Sequence, residues 1–267
     1  MTSISLHPAP SFRTVVREQV RAQGLMMRMA GALFAAVMLL IAAACLRMAF
    51  VMKGAGQGTG SMTNFTFSPQ MSVIVSGLAL LLPIMIWQDE DPARRVYHRA
   101  MPVAQPMHAF MKVLAGWLWL MAVIALFLTG MVIIPLLASR IAGGGQPYHP
   151  GFAWWEWLIP VTSATIAYVI ASAAAVATRR PLIWIFGLPL LYGAAIDLLL
   201  RYGLLRVVRV MRKIATGYFG ATAAMSGQTE HADSFASLDR WLGSSVLWGV
   251  AAAALLYLVA KRRVDVS

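Results

Sequence analysis

The sequence predicts an all-α polytopic membrane protein, a single transmembrane domain over 1–267 with six membrane-crossing helices, and three observations carry that expectation. Of 267 residues, 60% are apolar and only 12% are charged, with a mean hydropathy of +0.71. Soluble domains carry roughly 25% charged residues and about 45–50% apolar ones. A chain so poor in polar side chains cannot cover a water-facing surface, so lipid is its solvent. Charges then divide the chain into long apolar runs, and none of these alternates with the period of two that barrel strands require.

The excess of 22 Lys and Arg over 10 Asp and Glu, net +12, reads in this setting as topogenic charge and contact with anionic headgroups rather than nucleic-acid binding. The single Cys45 excludes an intrachain disulfide and a cysteine-based metal cluster.

In chain order, residues 11–28 form the first element. At 100° per residue Phe12, Val15, Val16 and Val20 gather on one side, and Arg13, Arg17, Arg21 and Arg28 on another. That is the pattern of a helix lying in the cytoplasmic interface of the membrane, with topogenic charge and no ordered helix as the lesser alternative. Spans are expected over about 29–52, 67–88, 113–139, 157–178, 181–200 and 241–260. Each approaches the ~20 residues that a helix rising 1.5 Å per residue needs to cross ~30 Å of hydrocarbon. The first run begins too late and is too long for a signal peptide, so it is expected to stay as an anchor.

Orientation follows the Lys and Arg near span ends. With both termini cytoplasmic, the inside receives the N-terminal arginines, Arg94, Arg95, Arg99, Lys112, Arg179, Arg180, Lys261, Arg262 and Arg263. The outside receives fewer, and most of those crowd into 201–213, against the general rule. All nine tryptophans fall near predicted span ends, where an indole half buried at headgroup level serves as an anchor.

The connection 89–111 is the most polar part of the chain. Asp89, Glu90 and Asp91 precede Pro92, with Arg94, Arg95 and Arg99 further on and Met101-Pro102 after them. Acids offset the free N–H groups and dipole of a helix start, proline suits its first turn, cations suit its end, and Pro102 disfavours helix for the residue before it. A short cytoplasmic helix results, fit to dock a partner; a solvated connector is the plainer alternative.

The stretch 201–240 is expected outside. In 201–214, Arg201, Arg206, Arg209, Arg212 and Lys213 share one half of a helical wheel, with Leu204, Val207, Val210, Met211 and Ile214 on the other. Residues 215–240 turn small and polar, and either lie on the surface or dip into the membrane and return. The glycine runs at 54–60 and 143–145 read as flexible linkers, and Asn64-Phe65-Thr66 as a chance glycosylation triplet.

Catalytic patterns are missing. No Gly-Lys-Ser/Thr phosphate loop occurs, and His7, His98, His108, His149 and His231 fall in predicted loops or tails without metal-ligand spacing. Catalytic, cofactor and metal sites are therefore assigned to no residue. Ser76, Ser163 and Ser172 read as small packing residues. Asp197 and Arg201 stand one turn apart near the outer end of the fifth span, with Arg47 at similar depth on the first. They are either structural pairs or charges on a substrate path.

The layout as a whole resembles the membrane-spanning permease subunits of ABC-2 type transporters. The most telling stretch runs from Trp87 to Lys112, with Trp87-Gln88-Asp89-Glu90-Asp91-Pro92 leading through Arg94, Arg95 and Tyr97 to Met101-Pro102-Val103. The resemblance implies a coupling helix between spans two and three that docks on a separate ATPase, with Asp89, Glu90, Arg94, Arg95, Tyr97, His98 and Arg99 as contacts. It implies external or re-entrant helices between spans five and six, which accommodates the basic 201–213 stretch. It also implies a homodimer or heterodimer of two permeases, in a bacterial inner membrane. ATP and magnesium would act through the ATPase subunit, this chain itself binding no cofactor. A non-transporting scaffold or assembly subunit of a larger membrane complex remains the other class of function.

Overall fold

The computed structural model describes residues 12–54, 72–88, 105–141, 153–178, 180–226 and 236–265. Helices make up nearly all of these, in the order α1 (Phe12–Gly54), α2 (Ser72–Gln88), α3 (Gln105–Ile141), a 3-10 turn (Trp154–Leu158), α4 (Ile159–Ala177), α5 (Pro181–Arg201), α6 (Leu205–Thr216), α7 (Ala221–Ser226) and α8 (Leu238–Asp265). No strand occurs among the described residues. Among the described residues five stretches are long and apolar enough to cross a bilayer: Met27–Arg47, Ala109–Ile134, Trp154–Ala177, Pro181–Arg201 and Leu238–Arg262. The apolar core of α2, Val75–Trp87, is shorter. Residues 67–71, the expected start of that span, lie outside the described residues.

α4 is the centre of the bundle. Its Ser163, Ala164, Ala167, Ala171, Ser172 and Ala173 are buried, and this small-residue surface lets α2 and α8 approach closely. Ser76 on α2 donates to the Ser163 hydroxyl at 3.3 Å, in keeping with the packing role expected of these serines. α1 lies along α3, and the main core joins both to α2 and α4 through Phe34, Met38, Leu82, Leu120, Ile124, Phe127 and Tyr168. Pro83, buried inside α2, costs one helical hydrogen bond that the surrounding helices offset by packing.

Three boundaries differ from the sequence expectation. The residues of the expected interfacial helix and of the first span form one unbroken helix from Phe12, which runs through Gly24 and Gly31 because no proline interrupts it and it packs along α3. α3 begins at Gln105 rather than 113, so His108 belongs to its first turn and not to a loop. Pro106 starts it well, as a first-turn residue needs no helical N–H bond. At the other end of the bundle, Glu156 does not mark a boundary but sits buried within the 3-10 turn that leads into α4.

The tryptophans also do more than anchor. Trp155 and Trp241 are buried with ring centroids 5.5 Å apart, whereas Trp154 and Trp184 are exposed. The glycine run at 55–60, the triplet Asn64–Thr66, residues 89–104 with every expected docking contact, the run at 143–145 and residues 227–235 lie outside the described residues.

Candidate functional site

Two polar constructions stand at opposite ends of the bundle. The first mounts the two roots of the 89–104 connection. Trp87 occupies the last turn of α2, and Lys112 the second turn of α3, where its neighbours Phe110, Met111, Val113 and Leu114 are apolar. Lys112 is only 8% exposed, and its Nζ lies 4.5 Å from the centroid of the Trp87 ring. A desolvated cation over an indole gains ~2 kcal/mol, which offsets part of the cost of holding this charge inside the bundle.

Further bonds brace the same turn of α3. Gln23 Nε2 donates to the Lys112 carbonyl at 3.4 Å, and the Tyr168 hydroxyl donates to the Val113 carbonyl at 2.8 Å. Those carbonyls have a second lone pair beyond the one used in the helix. Trp119 Nε1 donates to the Val20 carbonyl at 3.3 Å, and Trp117 Nε1 to Thr165 Oγ1 at 3.2 Å. The beginning of α3 is thus tied to α1, α2 and α4 at once. Among the described residues these contacts are packing and hydrogen-bond ties between helices.

The second construction closes the opposite end. α6 leaves α5 through Gly203, whose φ of +71° is open to glycine and strained for a side chain. At the far end of α6, Arg240 Nη2 donates to the carbonyls of Thr216 and Gly217, both at 2.8 Å. A cation on the orphan carbonyls of a helix C-terminus is the favourable sign. The Arg240 guanidinium also stands 5.8 Å from the Tyr218 ring centroid, and the Tyr218 hydroxyl donates to Asp239. That bond, foremost among the causes, raises the Tyr218 phenol above its usual range, so it stays protonated at neutral pH. Ser244 Oγ and Trp248 Nε1 hold the Tyr218 and Phe219 carbonyls at 3.2 and 3.1 Å.

Between these bonds α7 is wedged against α4 and α8. Ala223 meets Trp155, Ile159 and Trp241, and Ala224 meets Ile166 and Ala252. Ile166 lies two turns into α4, so α7 reaches roughly 10 Å beyond that helix's first residue. The described part of 215–240 thus packs on α4 and α8 through α7.

Asp197 and Arg201 are brought together on α5, with Oδ2 and Nη2 3.1 Å apart, but their side chains are 65% and 76% exposed. Arg47 is exposed on α1, which lies against α3, whereas α5 lies against α4 and α6. The structure therefore gathers two of these three charges and leaves Arg47 apart. An exposed pair of this kind contributes about 0–1 kcal/mol. Asp197→Asn is expected to shift thermal unfolding in detergent by no more than that amount; a larger loss would mean that the pair is covered in the working assembly.

Sequence reasoning missed Lys112, Gln23 and Glu156 as interior groups. Lys112 carried a usable signal, a lysine inside an apolar run with no acid near it. Glu156 carried another, an acid between Trp155 and Trp157; its Oε2 has no hydrogen-bond partner among the described residues. Gln23 carried none. Among the described residues no group of His, Cys, Asp or Glu is placed to hold a metal ion.

The fold defines an all-helical integral membrane protein. No family model, curated protein or solved structure matches the chain.

Proposed function

We propose that this chain is the membrane-spanning permease subunit of an ATP-driven transporter of the ABC-2 type, an exporter in which it forms half of the translocation pathway. The bracing of Trp87 and Lys112 carries the reading. A connection that only joins two spans gains nothing from having its roots tied to four helices, whereas one that receives force from an ATPase needs a stiff mount. The inserted α7 supports the reading as a plug between helices at the far end. In this account the stretch expected over 67–88, which holds α2, is the sixth span, and both termini are cytoplasmic in a bacterial inner membrane. The well-exposed apolar surfaces of α1 and α5 are free for lipid and for a second permease subunit.

Affinity purification of the full chain, without preselection of partners, tests this directly. A Walker-motif ATPase is expected among the recovered proteins, and the isolated chain is expected to hydrolyse no ATP. Reporters after Ser267 and near Gln105 are expected in the cytoplasm, and those near Gly58 and Gly227 outside. Recovery with a complex that holds no ATPase would overturn the transporter reading in favour of a scaffold subunit.

A further inference from the structure

The helix α6 divides into three sectors when its residues are set at 100° per residue. Val208 is buried, and Met211 and Ala215 are half-buried, on the sector that faces the protein, where the Tyr192 hydroxyl donates to the Met211 carbonyl at 3.0 Å. Val207, Val210 and Ile214 form a second sector, each 45–60% exposed. Arg206, Arg209, Arg212 and Lys213 form a third, all exposed, within an arc of about 120°.

None of these four cations has an ion-pair partner among the described residues: Asp197 is taken by Arg201, and Asp239 by Tyr218. Arg209 stands at i+3 from Arg206 and i−4 from Lys213, spacings at which like charges destabilise a helix. The chain thus concentrates repulsive charge beside an uncovered apolar strip. Exposed Trp154, Tyr202, Tyr218 and Phe219 lie at the same end of the bundle, the aromatic composition of a headgroup layer.

We infer that α6 is a binding surface for anionic phospholipid headgroups, of the phosphatidylglycerol class, in the leaflet at that end of the spans. Val207, Val210 and Ile214 enter the acyl boundary, while the four cations hold phosphates and lose their mutual repulsion. Charge complementarity selects this occupant, because the apolar strip asks for acyl chains and the adjoining cations ask for anions, and an anionic lipid supplies both. Gly203 supports the arrangement by turning the chain out of α5 into α6. The inference does not depend on the ATPase reading, since a chain that captures no ATPase still presents this surface.

The test uses the full chain in a neutral detergent, carrying Cys45→Ala and an environment-sensitive fluorophore on Ile214→Cys. Phosphatidylglycerol is titrated into the micelles, with phosphatidylcholine and inorganic phosphate as separate arms. The fluorophore is expected to move to an apolar environment at a far lower fraction of phosphatidylglycerol than of phosphatidylcholine, and not to respond to phosphate. Replacing Arg206, Arg209, Arg212 and Lys213 together by Gln is expected to weaken the phosphatidylglycerol response roughly 100-fold or more, at about 5-fold per cation. A charge-conserving variant, R206K/R209K/R212K/K213R, is expected to keep the parent midpoint, which separates loss of charge from loss of fold. Native mass spectrometry of the unlabelled chain should show retained phosphatidylglycerol falling in the Gln variant alone. Equal midpoints for the two lipids, a response to phosphate by itself, or an unchanged Gln variant would each overturn the inference.

Discussion

On the proposed permease reading, reversing the charge of Arg94, Arg95 and Arg99 together is expected to abolish recovery of an ATPase partner with this chain. These arginines stand at the basic end of the helix expected between Pro92 and Met101, the end that the helix dipole leaves favourable to cations. If they meet acids in a partly covered interface, removing one partner of such a pair costs ~2–5 kcal/mol. At 1.4 kcal/mol per tenfold, a single lost pair weakens docking roughly 30- to 4,000-fold, and reversal adds repulsion. Pro102→Ala acts differently. It lets the helix run on and misaligns it with α3 while the charges stay in place, so the ATPase is captured but its turnover no longer responds to substrate. The measurement is ATPase recovery and turnover for each variant, with membrane insertion checked by the terminal reporter. Undiminished docking by a correctly inserted triple reversal would remove the coupling role from this helix and leave the charges as determinants of orientation only.

How far the sequence carried differs from element to element, and the differences have physical causes. The apolar runs announced the bundle because a stretch without charge has few alternatives to a helix in lipid. Charges placed most ends within a residue or two, α5 at Pro181–Arg201 among them, but not the start of α3. Lys112 was expected to close a loop, yet a tryptophan face from α2 lets it lie within α3, and nothing in the local sequence reveals that partner. The break expected near residue 28 failed for a related reason. Amphipathicity changes there, but no proline stands between Phe12 and Gly54, and packing along α3 carries the helix across Gly24 and Gly31. The wedge at α7 was legible only as an open alternative. Its Ala223 and Ala224 suit a surface as well as a crevice, and what decides is the space left beside Trp155 and Trp241. The cations of α6 were fully legible as a stripe, but which apolar residues remain uncovered required the positions of α5 and α7. The expected docking contacts themselves lie outside the described residues, and what is described is the packing of the helix ends on either side of them.

That mount can be loosened without touching a charge, and Gly116 is the place to do it. A Cβ on Gly116 would run into the Tyr168 hydroxyl and Ile86 Cδ1, so α2, α3 and α4 meet there only because this residue has no side chain. Gly116→Ala is therefore expected to destabilise the bundle by ~1–3 kcal/mol through overpacking. Displacement of Tyr168 would also leave its buried hydroxyl without the Val113 carbonyl, a further cost of ~1–3 kcal/mol. Gly77 on α2 provides the control, since a Cβ there meets nothing within 4 Å. Gly77→Ala is expected to stabilise by up to ~1 kcal/mol, as alanine exceeds glycine in helix propensity by that amount. The two substitutions are chemically identical and opposite in expected sign, so thermal unfolding of both in the same detergent separates close packing from propensity. Tyr168→Phe completes a cycle. It removes the oxygen that the new methyl group meets, so Gly116→Ala should cost less in the Tyr168→Phe background than in the parent, and equal costs in the two would show that the hydroxyl is not the obstacle. Because Lys112 stands one turn before Gly116 on α3, Gly116→Ala is also expected, on the permease reading, to leave ATPase capture intact while lowering substrate-stimulated turnover. That loss would place the bracing, and not the docking contact alone, in the path by which nucleotide-driven motion reaches the spans.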